Sequence, residues 1–113
     1  MNNYNYVIRR GTTPTHTFTL PVSGEIINNI YITYAQYGVT VVELTGDDVK
    51  IISNNTDANK CSASVTLTQE QTLLFAAGNT AEIQIRFTTT SNMAFASQKI
   101  QIDVDPIIRD GVI

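Results

Sequence analysis

Ala81-Glu82-Ile83-Gln84-Ile85-Arg86-Phe87-Thr88 is the most informative segment for the fold class, because polar and apolar side chains alternate along it. Successive side chains of an extended strand point to opposite faces, whereas a helix would scatter the same apolar residues around its axis. Ile83, Ile85 and Phe87 therefore share one face, and the polar residues share the other. The stretch predicts a half-buried β-strand whose apolar face covers a hydrophobic core.

The same alternation recurs along most of the chain. Thr15–Leu20 repeats it with threonines on one face, and its apolar row also contains His16. Gly38 marks a tight turn between two further stretches, which predicts a β-hairpin. Strands are predicted over residues 6–10, 15–20, 26–37, 39–44, 49–52, 62–67, 81–88 and 93–104.

One short helix is predicted near residues 69–77, before Gly78. Thr68-Gln69-Glu70-Gln71 has the form of a capping box, in which the Thr68 hydroxyl accepts from the Gln71 amide and the Gln71 side chain reaches back. The polar residues 53–60 contain no apolar periodicity, and we expect them to form a long, mobile loop.

The amino-acid composition also favours an all-β fold. Thr, Ile and Val number 16, 14 and 9 among 113 residues, and β-branched side chains favour strands over helices. The count and spacing of the strands predict an antiparallel β-sandwich of seven to eight strands, formed by residues 1–105 as one domain. Residues 106–113 are predicted to be an apolar C-terminal arm or an edge strand.

Charge and cysteine content exclude several classes of protein. Seven basic and ten acidic residues provide no basic stripe for phosphates, so we expect no nucleic-acid partner. The single Cys61 cannot form an intramolecular disulfide, and we expect a small, inert, partly buried side chain there. The chain contains no apolar run of membrane-spanning length, and its Asn-rich and Tyr-rich start lacks the regions of a signal peptide. These features predict a soluble domain inside a cell.

No set of residues predicts catalysis, a cofactor or a metal site. Asp47 and Asp48 are adjacent, and Asp103 and Asp105 share a strand face, but neither pair has the further oxygen ligands of a calcium loop. His16 is the only histidine, and no nucleophile elbow accompanies it, so a structural role is expected. Glycine-rich phosphate-binding motifs are also absent from the sequence. We therefore expect a protein that is not an enzyme.

The candidate interface residues lie in three places. The arm, residues 106–113, is more apolar than a free tail normally is. One prediction is that it docks on a neighbouring subunit by strand addition. Docking of the arm onto its own domain is the alternative. The five tyrosines, at positions 4, 6, 31, 34 and 37, could form an aromatic platform, although core packing is the safer interpretation for Tyr34. The interface residues predicted are Ile107, Ile108, Arg109, Val112, Ile113, Arg9, Arg10, Tyr31 and Tyr37.

The order of motifs along the chain carries a family resemblance. The residues concerned are Arg10-Gly11, Phe18, Leu20, Leu67-Thr68-Gln69-Glu70-Gln71-Thr72 and Ile83-Gln84-Ile85. In this order they resemble the small Ig-like β-sandwich modules of tailed bacteriophages and prophages, especially the N-terminal domain of siphophage baseplate upper proteins. The resemblance implies an Ig-like sandwich over about residues 6–104.

The resemblance also implies a function. It suggests a bacteriophage virion structural protein of the tail, baseplate or head-tail region, made in the cytoplasm of the host bacterium. Its partners would be other virion proteins and further copies of itself, with no membrane or nucleic acid involved. We expect no receptor-binding domain to follow the module, which favours an adaptor, ring or completion component. The alternative is an Ig-like binding module that recognises a surface carbohydrate or protein through the Tyr31 and Tyr37 region or residues 53–60.

Overall fold

The computed structural model describes residues 7–113, apart from the side chain of residue 53, and these residues form two β-sheets around one core. The strands are β1 (Val7–Arg9), β2 (Thr15–Leu20), β3 (Ile27–Gln36), β4 (Val39–Thr45), β5 (Lys50–Asn55), β6 (Lys60–Thr66), β7 (Thr80–Thr89), β8 (Ala94–Ala96) and β9 (Ile100–Asp105). The helix α1 spans Gln69–Thr72, and two short 3₁₀ turns span Gly24–Ile26 and Gly46–Asp48.

The larger sheet is built around β7, the strand with the clearest sequence pattern. Its strand order is β1-β9-β7-β3-β4, and β8 pairs with the other end of the β7 edge that β9 occupies. In the antiparallel pairing of β3 with β7, Ile32 lies opposite Ile85 and Ile30 lies opposite Phe87. The alternation of β7 therefore continues across the sheet and gives it one apolar face.

The smaller sheet, with the order β2-β6-β5, closes the other side of the core. Phe18 and Leu20 of β2 lie opposite Ala63 and Cys61 of β6, and all four side chains are buried. Their apolar faces pack against the larger sheet in one continuous hydrophobic cluster. The protein is therefore an all-β, Ig-like β-sandwich with one small helix, as the sequence predicts.

Several details of the predicted strands are wrong. The described residues contain nine strands rather than seven or eight, because the predicted strand over residues 93–104 is divided into β8 and β9. The division occurs at Ser97, whose hydroxyl accepts from the Ile85 amide in place of a regular ladder bond. One strand pair, β1 with β9, is parallel, so the sandwich is not wholly antiparallel.

The predicted long loop over residues 53–60 is also wrong. Strand β5 continues to Asn55, and a turn at residues 56–59 leads directly into β6. Two asparagines hold this hairpin to the 3₁₀ turn that follows β2: Asn54 accepts from the Gly24 amide at 2.8 Å, and Asn59 accepts from the Ser23 amide at 3.1 Å. Residues 53–60 are therefore polar because two of their side chains hydrogen-bond to the backbone of a neighbouring turn, and not because they form a long loop.

The helix starts as predicted and ends early. Both bonds of the Thr68 capping box are present, but α1 ends at Thr72 instead of near residue 77. Beyond it, side chains from other elements satisfy the backbone: Gln36 accepts from the Ala76 amide at 2.7 Å and donates to the Ala76 carbonyl at 2.9 Å. Because these backbone groups have hydrogen-bond partners in other elements, the helix can end here without leaving them unpaired.

His16 lies in the core of the sandwich with both ring nitrogens engaged. Nε2 lies 3.1 Å from the Val7 carbonyl, so it carries the proton, and Nδ1 accepts from the hydroxyl of the buried Tyr34. The two rings stack with their centroids 5.7 Å apart. Burial lowers the pKa of His16 below its ordinary value of 6.5, because a buried imidazolium loses hydration.

We expect a matching pH dependence of stability. The unfolded chain takes up a proton near pH 6.5 and the folded protein does so only at lower pH, so the free energy of unfolding falls as the pH drops below about 6.5. The slope contributed by His16 is at most about 1.4 kcal/mol per pH unit. Urea titrations between pH 8 and 5 on the wild type and on His16→Gln measure this contribution as the difference in slope. Equal slopes for the two proteins would contradict it.

Candidate interaction surface

The C-terminal arm, residues 106–113, folds back onto its own domain and contains no strand. Arg10 is the main anchor. Its guanidinium donates to the Phe75 carbonyl at 2.9 Å, to the Leu73 carbonyl at 3.2 Å, and to the carboxylate of Asp110 in the arm. One partly buried cation therefore joins the turn after β1, the segment after α1, and the arm.

Two further contacts fix the arm. The Gln69 side-chain amide pairs with the backbone of Ile113, accepting from its amide at 2.8 Å and donating to its carbonyl at 3.3 Å. Ile107 packs over Gly11, where a Cβ would lie 2.7 Å from the Ile107 Cδ1 atom. Gly11 also has a positive φ of 78°, so both the backbone and the space favour glycine there.

The anchored arm exposes apolar side chains to solvent. Ile108 is 106% exposed, Ile113 is 84% exposed and Val112 is 52% exposed. The arm that carries them is held to the domain at Ile107, Asp110 and Ile113, and the three exposed side chains are here called the arm surface. The predicted interface residue Arg109 is exposed beside them.

An apolar groove lies at the other end of the sandwich. It has a volume of about 230 Å³, and its walls come from the end of β2, the middle of β7 and the segment from β8 to the start of β9. Phe95 is 41% exposed in this groove and stacks on Phe87 with the ring centroids 5.1 Å apart. The arm follows the end of β9 and contacts Gly11, just before the start of β2. The groove adjoins the start of β9 at Ile100 and the end of β2 at Leu20, so the arm and the groove lie at opposite ends of these two strands.

The structure separates the other predicted interface residues. Arg9 is exposed and forms a 3.2 Å ion pair with Asp105, whereas Arg10 is mostly buried beneath the arm. Tyr31 and Tyr37 are 44% and 70% exposed, while the tyrosine between them, Tyr34, is fully buried as predicted. The tyrosines at positions 4 and 6 lie outside the described residues.

Two of the acidic residues and the cysteine that the sequence offers as candidate sites are engaged in contacts within the fold or buried. Asp48 accepts from the Thr45 amide at 3.3 Å in the turn before β5, and Asp105 pairs with Arg9. Cys61 is buried, and burial raises the pKa of its thiol. Residues 7–113 contain no group of three or more metal-ligating side chains. The helices in this part of the chain are all too short or too polar to cross a membrane.

Two features described above are not predicted from the sequence: the anchors of the arm and the apolar groove around Phe95. The arm anchors Asp110 and Gln69 are ordinary polar residues in the sequence, and their roles depend on partners that are 100 and 44 positions away, Arg10 and Ile113. The groove depends on Phe95, which belongs to a stretch without clear alternation. A signal was present in the row Ala94-Phe95-Ala96, where one large aromatic residue stands between two small ones.

Comparison with known proteins adds little. No family model matches the chain, and no curated protein matches it. Among solved structures, the chain is similar to AggA, the major subunit of aggregative adherence fimbriae type I from Escherichia coli. That match has a TM-score of 0.28 and 11% sequence identity, and it covers 84% of this chain and 97% of that chain. At this TM-score the likeness carries no weight for the fold or the function.

Proposed function

We propose that this protein is a structural protein of a bacteriophage virion that acts by protein-protein assembly in the tail, baseplate or head-tail region. The virion assignment rests on the motif order described above. On this proposal the protein is made in the host bacterial cytoplasm, is not an enzyme, and has other virion proteins and copies of itself as partners.

The placement of the arm surface supports assembly. Ile108, Val112 and Ile113 expose apolar side chains at one end of the sandwich, and the groove around Phe95 offers apolar walls at the other. Contacts between unlike surfaces on opposite ends of a subunit are heterologous, and they generate rings or open filaments rather than isolated dimers. Both are forms that a tail or connector component adopts.

The arm surface can be tested without disturbing the fold. Ile108 is fully exposed, so Ile108→Asp leaves the anchors of the arm intact and only adds a charge to the proposed contact. We expect sedimentation velocity to show concentration-dependent oligomers for the wild type and at least tenfold weaker association for Ile108→Asp. Ile52→Asp is the matched control, since Ile52 is 59% exposed on β5, away from the arm, and should leave association unchanged.

Two results would contradict the proposal. If the wild-type protein stays monomeric across the accessible concentration range, the proposed self-association is wrong. Equal association of the wild type and Ile108→Asp would remove the arm surface. The virion assignment has its own test, which is the gene neighbourhood: tape-measure, tail and lysis genes support it, and a cell-wall operon contradicts it.

A second candidate function is recognition of a surface carbohydrate or protein. Tyr37 favours it, because its ring is 70% exposed at the tip of the β3-β4 hairpin and borders a polar depression on the outer face of the larger sheet.

A further inference from the structure

The outer face of the larger sheet contains a continuous polar groove. Two depressions of about 230 and 220 Å³ adjoin there, and both are lined by Ala35, Gly38 and Glu82. Tyr37, Asn79 and Gln101 border the first depression, and Gln84, Arg86 and Lys99 border the second, so the shared residues connect them into one groove.

Strand pairing explains why the groove lies at this position. Gln101 of β9, Glu82 of β7, Ala35 of β3 and Thr40 of β4 lie opposite one another in a row across four strands. Ala35 is the smallest side chain in this row, and Gly38 beyond it has none. The sheet surface is therefore lowest at Ala35, with longer polar side chains on both sides.

The hairpin beside the groove has an irregular backbone. The register of β3 with β4 shifts between Tyr34 and Ala35, where Val41 is the extra residue on β4. Such bulges change the direction of neighbouring side chains and are common beside functional sites. The turn that follows puts Tyr37 at φ 57° and Gly38 at φ 75°.

Tyr37 is the unusual residue in this turn. Two-residue hairpin turns with two positive φ angles favour Asn, Asp or Gly at the first position, and a bulky residue there is strained. Its large ring is nevertheless exposed on the wall of the groove instead of packing in the core. A strained and exposed aromatic residue is a reason to look for a ligand.

The polar groups of the groove suit a ligand rich in hydroxyl groups. The side chains of Glu82 and Gln101 make no hydrogen bond to other residues in the described part of the chain, so a carboxylate acceptor and an amide with both donor and acceptor atoms face the groove. An exposed tyrosine ring adds an apolar surface with a polar tip. Glu82 is the only charged residue that lines the first depression, so this part of the groove does not favour an anionic ligand, and Arg86 and Lys99 line only the second depression.

We infer that this groove binds a neutral oligosaccharide, with Tyr37 packing against a sugar ring and Glu82 and Gln101 bonding its hydroxyl groups. The inference rests on the second candidate function and gives it a site and a ligand class. It is independent of assembly through the arm surface, which lies at the end of β9 beyond Asp105.

The test uses the full chain and a set of neutral tetrasaccharides built from glucose, galactose, mannose or N-acetylglucosamine. Isothermal titration calorimetry identifies the sugar that binds, and two variants then locate the site. Tyr37→Asn removes the ring and relieves the strained φ angle, so it should raise the unfolding midpoint temperature while weakening binding at least tenfold. Ala35→Leu fills the lowest point of the groove and should weaken binding by a similar factor.

Ile52→Ala is the control, because Ile52 is 59% exposed on β5 of the smaller sheet and borders neither depression. Its binding should equal that of the wild type. If a sugar binds the wild type and both groove variants equally, the site is wrong although carbohydrate recognition stands. If no sugar binds the wild type at 10 mM, about the weakest affinity that calorimetry detects, both the site and carbohydrate recognition are wrong.

Discussion

Replacing Phe75 by alanine is expected to lower the free energy of unfolding by about 3–5 kcal/mol, the largest effect of any single change considered for this protein. Phe75 is 1% exposed and packs edge-on against Tyr34, with their ring centroids 6.2 Å apart at an angle of 74°. The substitution removes this buried ring and leaves a cavity next to the His16-Tyr34 hydrogen bond. Urea denaturation followed by tyrosine fluorescence measures the loss.

The neighbouring residue provides the control. Leu74 is 64% exposed, so Leu74→Ala should change stability by less than about 0.5 kcal/mol although it lies in the same segment. If Phe75→Ala prevents folding, Phe75→Leu gives a smaller and measurable loss. Similar values for the variants at positions 74 and 75 would show that Phe75 does not anchor this segment.

Replacing Arg10 by methionine should lower the free energy of unfolding by about 3 kcal/mol. Methionine keeps the aliphatic part of the side chain but leaves the Leu73 and Phe75 carbonyls without their donor and Asp110 without its partner. Each partly buried carbonyl left unpaired costs roughly 1–3 kcal/mol. The arm also loses its main anchor, so hydrogen exchange of the Ile113 amide should become faster.

Arg9 is the matched control for Arg10. It has the same side chain one position earlier, but its single ion pair with Asp105 is between groups that are 60% and 39% exposed. Exposed ion pairs contribute about 0–1 kcal/mol, so Arg9→Met should have little effect. Equal effects of the two substitutions, or an Ile113 amide that exchanges at the wild-type rate in Arg10→Met, would contradict the anchoring role.

The contrast between Arg9 and Arg10 shows a limit of the sequence. Arg9 is the last residue of β1 and Arg10 begins the turn that follows, so their side chains lie in different surroundings although they are neighbours in sequence. Which of the two meets the arm depends on the parallel pairing of β1 with β9, where Arg9 lies opposite Asp105. That pairing joins residues 96 positions apart, and local patterns contain no information at this range.

The candidate sites show the same limit. Tyr34 was predictable as a core residue because it follows Ile30 and Ile32 at a spacing of two. Residue type alone makes Tyr37 a candidate interface residue, and its strained backbone and the groove beside it appear only in the folded hairpin. The apolar groove at Phe95 escaped prediction because its walls come from three separate segments.

Local sequence patterns are enough to predict the all-β sandwich, the core-facing side of its clearest strands and the start of its helix. These features follow from local rules, since side-chain alternation and the Thr68 capping box act within a few residues. The end of the helix, the anchoring of the arm and the positions of the two grooves become visible only in the folded chain. Each of these depends on hydrogen bonds or packing between residues far apart in the chain, such as Arg10 with Phe75 and Gln69 with Ile113.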